Sequence, residues 1–127
     1  MKNIYVADFE TTTIAPTKVW AWGLSKVNDP NFFDIGYSIE SFMHVLYSIK
    51  QDVITLYFHN MRFDGSFIVD WLLKHKFTWK DTADNCDKND FTTIIDGNGQ
   101  YYMIDIFIDS VENKKTKKIK KKHITIL

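Results

Sequence analysis

The chain has 127 residues, of which 45% are hydrophobic and 16% aromatic, and its 16 basic and 16 acidic residues leave no net charge. This length predicts one domain with a single core, and no apolar run approaches the roughly 20 residues of a membrane span, so no membrane partner is expected. No export signal is evident, because the N-terminus lacks a basic region followed by an apolar stretch. The single cysteine, Cys86, has no partner within the chain. A reducing, cytoplasmic location is therefore the default expectation.

Positive charge is concentrated late in the sequence. Seven of the 16 basic residues lie between Lys114 and Lys122, whereas residues 1–113 carry nine bases against 16 acids. A lysine cluster of this kind can bind a polyanion, although a solvated hairpin end is the more common explanation. The sequence leaves both interpretations open.

The first predicted strand ends in two carboxylates. Residues 3–8 form an apolar run, which we expect to be buried on both faces, within the longer stretch IYVADFETTT. Because side chains alternate along a strand, Asp8 and Glu10 point to one side and Phe9 points to the other. Neighbouring carboxylates repel unless a cation lies between them, and oxygen ligands suit Mg²⁺ or Mn²⁺. The pair indicates either a metal site or an accidental acid-x-acid sequence.

The next elements alternate between strand and helix signals. Residues 18–26 and 32–37 predict two strands joined by a turn at residues 28–31, which gives an antiparallel three-stranded meander. Ser38 predicts the N-cap of a helix of about three turns. Residues 53–58 predict a central and possibly parallel strand covered on both sides, and residues 63–75 predict a second helix.

The second half of the chain reads mainly as β structure. Residues 80–90 form a polar surface loop, and residues 91–95 and 100–108 predict a hairpin closed by a glycine-containing turn. Residues 117–127 predict a further strand. We expect one α/β domain over residues 1–127, with a mixed sheet and flanking helices. Because the sequence stops inside a strand-like apolar run, we expect this domain to be incomplete at its C-terminus.

A second polar constellation, YFHNMRFDG, spans residues 57–65. It lies where the central strand ends and the second helix begins, which is where open α/β sheets bind ligands. Asp64 could simply be a helix-start acid, and Asn60 a cap. Phe63 and Phe67 are one helical turn apart and could belong to the core, or they could line a cleft and stack on unpaired bases.

Together the acids of the two stretches suggest a reaction. Asp64 added to Asp8 and Glu10 gives three carboxylates, which is the minimum for a two-metal phosphodiester hydrolase. A fourth carboxylate is normally needed to fix the second ion.

Three stretches, YVADFETTT, YFHNMRFDG and GQYYMIDI, together resemble the N-terminal 3′–5′ exonuclease domain of protein-primed family B DNA polymerases of phages and linear plasmids. The resemblance runs from Tyr5 to about Leu127 and implies the ribonuclease H-like α/β fold. It also implies Mg²⁺- or Mn²⁺-dependent hydrolysis at the 3′ end of single-stranded DNA, in a phage-infected bacterial cell. In a full-length protein the polymerase domain and a terminal protein would be partners.

The resemblance assigns roles to individual residues. Asp8 and Glu10 match the first exonuclease motif, D-x-E, and Asp64 matches the acid of the second, N-x-x-F-D; these three would be the catalytic, metal-binding carboxylates. The positions that match residues holding the 3′-terminal nucleotides are Thr11, His59, Asn60, Phe63 and Phe67.

The third motif of the family, Y-x-x-x-D, does not occur after Asp105. That motif supplies the fourth carboxylate and a tyrosine that orients the attacking water. Asp105 is not expected to replace it, because family members carry an acid there in addition. We therefore expect no polymerisation and impaired exonuclease chemistry. Two alternatives remain: an inactive remnant that binds single-stranded DNA or a protein, and a ribonuclease or integrase-like enzyme, against which the flanking residues argue.

Overall fold

The computed structural model describes residues 3–127. They form one eight-stranded mixed sheet, in the order β3-β2-β1-β4-β8-β7-β6-β5, with two α-helices. The strands and helices are β1 (Ile4–Thr11), β2 (Val19–Lys26), β3 (Asp29–Gly36), α1 (Ile39–Ser48), β4 (Val53–Phe58), α2 (Met61–Lys74), β5 (Thr78–Trp79), β6 (Asp90–Ile95), β7 (Tyr101–Glu112) and β8 (Ile119–Ile126). Neither helix is long and apolar enough to cross a membrane, as far as residues 3–127 show. The predicted mixed α/β architecture, of the ribonuclease H-like class, is confirmed.

The antiparallel opening meander is confirmed, since β1 pairs with β2 and β2 with β3. The predicted turn at residues 28–31 is misplaced, because the chain reverses at Val27 and Asn28, where Asn28 has φ 66. β3 then begins at Asp29 and includes Pro30. This proline is tolerated because β3 is an edge strand, on which a missing N–H donor removes no obligatory ladder hydrogen bond.

The prediction that β4 is central and parallel is correct, because it pairs in parallel with β1 on one side and β8 on the other. The prediction that β1 and β4 are covered on both faces is wrong. Tyr5 and Leu56 face the core at 2% and 0% exposure, whereas Val6 and Tyr57 on the opposite face are 42% and 44% exposed. Both helices pack on the same face, so the opposite face of these strands stays open to solvent.

Aromatic side chains hold α1 against the sheet. The ring of Phe42 packs edge-on against Phe9, Phe58 and Trp22, with ring centroids 4.8, 5.9 and 5.4 Å apart. The predicted cap of this helix is confirmed, because the Ser38 hydroxyl accepts a hydrogen bond from the backbone N–H of Ser41 at 3.1 Å.

The second half of the chain follows the predicted hairpin but extends it. β6 and β7 pair antiparallel as expected, and β7 continues to Glu112 before a second hairpin leads into β8. The predicted loop at residues 80–90 contains a 3₁₀ turn, Ala83–Asn85, and it buries Cys86 completely. Burial raises the pKa of the Cys86 thiol to about 11, so the neutral thiol persists at physiological pH.

Candidate functional site

Two parallel strands end at one edge of the sheet. The last paired residues of β1 and β4 are Ala7 and Phe58, and α2 starts three residues after β4 ends. β1 continues beyond this pairing through Asp8 and Glu10. The strand ends, the residues that follow β4 and the N-terminus of α2 therefore share one edge, which is the usual ligand-binding edge of an open α/β sheet.

Asp8 and Glu10 project from β1 into solvent, as strand alternation predicts, with Phe9 buried between them on the opposite face. Their cross-strand neighbours on β2 are Gly23 and Ala21. A Cβ added at Gly23 would meet nothing within 4 Å. The small neighbours leave open space beside both carboxylates.

Asp64 approaches the same edge from α2. Its backbone N–H donates to the carbonyl of Asn60 at 2.9 Å, which fixes it in the first turn of the helix. Its side chain is only 2% exposed. The Oδ2 atom is buried and has no hydrogen-bond partner among residues 3–127, which is unusual for a buried carboxylate oxygen.

The environment raises the pKa of Asp64 to about 6. Burial is the largest cause, and the charge of Asp8 and, more weakly, that of Glu10 add to it. The backbone N–H of Phe9, which lies beside this carboxylate, acts in the opposite direction and lowers the pKa. This amide is free to donate because the pairing of β4 with β1 has already ended at Ala7. The three acids are thus electrostatically coupled at one edge, while their roles as metal ligands stay a prediction.

The donor set suits a hard divalent cation, because three carboxylates supply oxygen ligands and one buried oxygen is unpaired. The side chains do not form a closed coordination group, since no cluster of three or more acidic, histidine or cysteine side chains within residues 3–127 meets metal-binding geometry. Asp8 and Glu10 are exposed and free to change rotamer, whereas Asp64 is fixed. A cation at this edge would require the two strand carboxylates to turn towards Asp64.

The residues predicted to hold nucleotides surround these acids. Asn60 is the N-cap of α2 but makes no side-chain capping hydrogen bond, so its amide is not used by the start of the helix. The ring of Phe63 is 46% exposed and meets Phe67 edge-on, with centroids 5.4 Å apart. Phe63 therefore does not belong to the core. His59 is exposed and Thr11 is half-buried at the end of β1. Nucleotide contact by these residues stays a prediction.

A groove continues from the end of β1. It has a volume of about 540 Å³, and it is lined by residues that include Thr11, Lys18 and the half-exposed ring of Trp20. Hydroxyl groups, one cation and an aromatic face therefore lie next to the carboxylate edge.

Sequence reasoning missed one contact at this edge. Arg62 Nη2 donates to the Tyr102 hydroxyl at 3.1 Å, and the guanidinium carbon lies 5.1 Å from the Tyr102 ring centroid. No carboxylate pairs with Arg62 within residues 3–127. It is the only arginine in the sequence, and it lies within YFHNMRFDG. Its occurrence in this stretch was the one sequence feature that could have marked Arg62 as a site residue.

Asp105 lies elsewhere. Strand register places it level with Ile4 and three strands from β1. Its Oδ1 contacts His123 Nδ1 at 2.8 Å and accepts a hydrogen bond from the Thr125 hydroxyl at 3.1 Å. The carboxylate is engaged in this separate network and does not join the acids at the edge.

Comparison with known proteins gives consistent relatives, although no family model matches the chain. The DNA polymerases of Bacillus phages phi29 and PZA are each 42% identical to it over 106 residues, 83% of this chain. The DNA polymerase of Streptococcus phage Cp-1 is 35% identical over 87 residues. The chain spans about a fifth or less of these relatives, from 15% to 18% of their length.

Solved structures of phi29 DNA polymerase superpose on 99% of this chain at 35% identity. The complex with primer-template DNA and incoming nucleotides gives a TM-score of 0.78, and the complex with single-stranded DNA gives 0.77. The chain covers 20% of each of those proteins.

Proposed function

Since the chain is homologous to phi29-type protein-primed DNA polymerases over 83% of its length, we propose that it is an exonuclease-type domain that binds the 3′ end of single-stranded DNA at the carboxylate edge. The observation that carries this proposal is the buried carboxylate of Asp64, coupled to Asp8 and Glu10 where β1 and β4 end. A solved complex of phi29 DNA polymerase contains single-stranded DNA, which supports the choice of ligand.

In this proposal Asp8, Glu10 and Asp64 hold Mg²⁺ or Mn²⁺. The bound ions would supply an activated water and charge stabilisation at the leaving oxygen. Asp64 provides a buried oxygen from the first turn of α2, where its backbone N–H donates to the carbonyl of Asn60. Asp8 and Glu10 complete the ligand set from the open face of the strand.

The neighbouring residues bind and orient the strand. Phe63, supported edge-on by Phe67, offers a ring on which a terminal base stacks. Thr11, His59 and Asn60 supply hydrogen-bonding groups at the same edge, in the roles that the resemblance implies. Arg62, held on the Tyr102 ring, offers a guanidinium to a backbone phosphate.

The absence of Y-x-x-x-D from the sequence after Asp105 leads us to propose that hydrolysis by this chain is impaired rather than efficient. In a longer protein of this type, a polymerase domain and a terminal protein would be partners, within the cytoplasm of a phage-infected bacterium.

The test follows 5′-mononucleotide release from single-stranded DNA labelled near its 3′ end, with Mg²⁺ or Mn²⁺ in excess. We expect slow release by the chain and none by Asp8→Ala, with Asp70→Ala, an exposed acid on α2, as the control. Equal release by the chain and the Asp8 variant would contradict the assigned ligand.

The second candidate is an inactive module that binds single-stranded DNA or a protein. It is favoured by the lack of a closed metal-ligand group within residues 3–127. No metal-dependent release by the chain, together with DNA binding that needs Phe63 but not Asp8, would select this function. No binding of single-stranded DNA at all would leave a protein partner.

A further inference from the structure

The hairpin between β7 and β8 ends in a hydrogen-bonded, lysine-rich turn, residues 113–118, here called the lysine turn. Asn113 organises it: its Oδ1 accepts from the backbone N–H of Lys115 at 2.9 Å, and its carbonyl accepts from the N–H of Lys117 at 2.7 Å. The N–H of Asn113 in turn donates to the carbonyl of Lys118 at 2.8 Å. These hydrogen bonds of the turn involve the backbone and the Asn113 side chain, and not a lysine ammonium group.

The charges at the tip are unpaired. Lys114, Lys115, Lys117 and Lys118 are exposed, and none has a carboxylate oxygen within 4.0 Å among residues 3–127. Four ammonium groups therefore lie within five residues and repel one another, so an anion bound there would relieve an unfavourable arrangement.

The lysines at the base of the hairpin are engaged. Lys120 pairs with Asp52 at 2.6 Å, and Lys122 donates to the carbonyl of Ile49 at 2.9 Å. Lys121 donates to the carbonyl of Asp84 at 3.3 Å and lies over the Phe107 ring. These contacts anchor the hairpin to the body of the protein, so that only the tip presents free charge.

The lysine turn lies far from the carboxylate edge. β8 runs parallel to β4 and β1, and it starts at the end of the sheet opposite to the edge that carries Asp8. About eleven residues of strand separate the level of Lys118 from that of Asp8, which is about 36 Å at 3.3 Å per residue. The two regions cannot contact the same nucleotide.

We propose that the lysine turn is a second binding site, which takes the phosphate backbone of nucleic acid without reading its sequence. Lysine ammonium groups act as point charges on phosphates and carry no planar, bidentate recognition of bases. Residues 1–113 carry nine bases against 16 acids, so the excess of positive charge in the sequence is confined to this hairpin. This site goes beyond the proposed function and does not depend on metal binding or hydrolysis.

The test compares two variants of equal charge. The turn variant combines Lys114→Gln, Lys115→Gln, Lys117→Gln and Lys118→Gln. The matched control combines Lys50→Gln, Lys74→Gln, Lys76→Gln and Lys88→Gln, all exposed positions outside the turn. Lys76 has φ 64 and Lys117 has φ 56, so each set changes one left-handed residue.

The probe is a blunt duplex of about 16 base pairs with chemically blocked 3′ ends, and its binding is followed by fluorescence anisotropy over a series of salt concentrations. Because each phosphate contact on duplex DNA contributes roughly 0.9 to the slope of log affinity against log salt, the turn variant should lose about 2–4 from that slope. We expect at least about tenfold weaker binding at low salt for this variant and less than about threefold for the control. EDTA should leave duplex binding unchanged, because the lysine turn binds phosphates without a metal ion, whether or not the proposed exonuclease function is correct.

Equal losses in both variants would overturn the proposal, because they would show only an effect of net charge. If a polyglutamate peptide binds as tightly as the duplex, or more tightly, the proposal is also overturned, in favour of an acidic protein partner. If the turn variant fails to fold, amine acetylation of the unaltered chain tests the proposal instead. Bound duplex should protect the four lysines of the turn from acetylation and should not protect those of the control set. Uniform protection would contradict a specific site.

Discussion

The backbone N–H of Phe9 lies beside the carboxylate of Asp64 and favours its ionised form, against the effect of burial. Phe9 stands between Asp8 and Glu10, so the acid of the second helix comes close to the strand that carries the other two. The amide faces Asp64 because β1 extends past the end of its pairing with β4. Because β1 extends further than β4 at this edge, space remains beside β1 for the Asp64 side chain.

Replacing Asp64 with asparagine should stabilise the metal-free protein at neutral pH. The folded-state pKa of about 6 lies above the ordinary value of 3.8, so the fold disfavours the ionised form. The unaltered chain should lose stability as pH rises from about 4 to 6, and Asp64→Asn should not. In EDTA at pH 7.5 the variant should gain about 1–3 kcal/mol in free energy of unfolding, since each pKa unit corresponds to roughly 1.4 kcal/mol.

Urea unfolding at pH 7.5 and at pH 3.5 measures this gain, which should vanish at the lower pH. Asp70→Asn is the control, because Asp70 lies on the same helix but is exposed and paired with Lys74. An Asp64→Asn variant that is less stable than the unaltered chain at pH 7.5 would show that the buried carboxylate is not under electrostatic stress.

Removing Arg62 should weaken binding of single-stranded DNA without unfolding the protein. A charge-assisted hydrogen bond contributes about 1.5–3 kcal/mol, so Arg62→Ala should raise the Kd about 10- to 150-fold. Arg62→Lys should recover only part of the loss, because lysine cannot reproduce the planar contact with the Tyr102 ring. Fluorescence anisotropy gives the Kd values, and unchanged affinity in Arg62→Ala would remove this residue from the binding surface.

Substitution of Phe63 should weaken DNA binding, whereas substitution of Phe42 should lower folding stability. Phe63 is 46% exposed and Phe42 is fully buried. Phe63→Ala should cost about 1–3 kcal/mol of single-stranded DNA binding, the range for one stacked base, with little change in Tm. Phe42→Ala should instead lose about 3–5 kcal/mol of stability. Anisotropy and thermal unfolding test the pair, and a large fall in Tm for Phe63→Ala would return this ring to the core.

Much of the fold follows from local sequence signals. Ser38 caps its helix through a contact three residues away, and the alternation around Phe9 fixes which side Asp8 faces. Such features depend on neighbours within one turn or one strand, so the sequence alone predicts them. The position of Asp64 next to Phe9 could be inferred only from the resemblance, because it joins residues 55 apart.

The features that were missed depend on distant packing. Apolar runs in β1 and β4 suggested cover on both faces, but only the placement of α1 and α2 decides which face is buried. The exposure of Val6 and Tyr57 is the result. The contact between Arg62 and Tyr102 likewise joins residues 40 apart and depends on the packing of α2 against β7.

If Asp8, Glu10 and Asp64 bind divalent cations together, paramagnetic broadening by Mn²⁺ should reveal it. In ¹H–¹⁵N NMR spectra, sub-stoichiometric Mn²⁺ should broaden the amide signals of Phe9 and Asp64 first, and EDTA should restore them. Broadening centred on Asp105, or none at residues 8–10 and 64 at millimolar Mn²⁺, would show that these three carboxylates do not form a metal site.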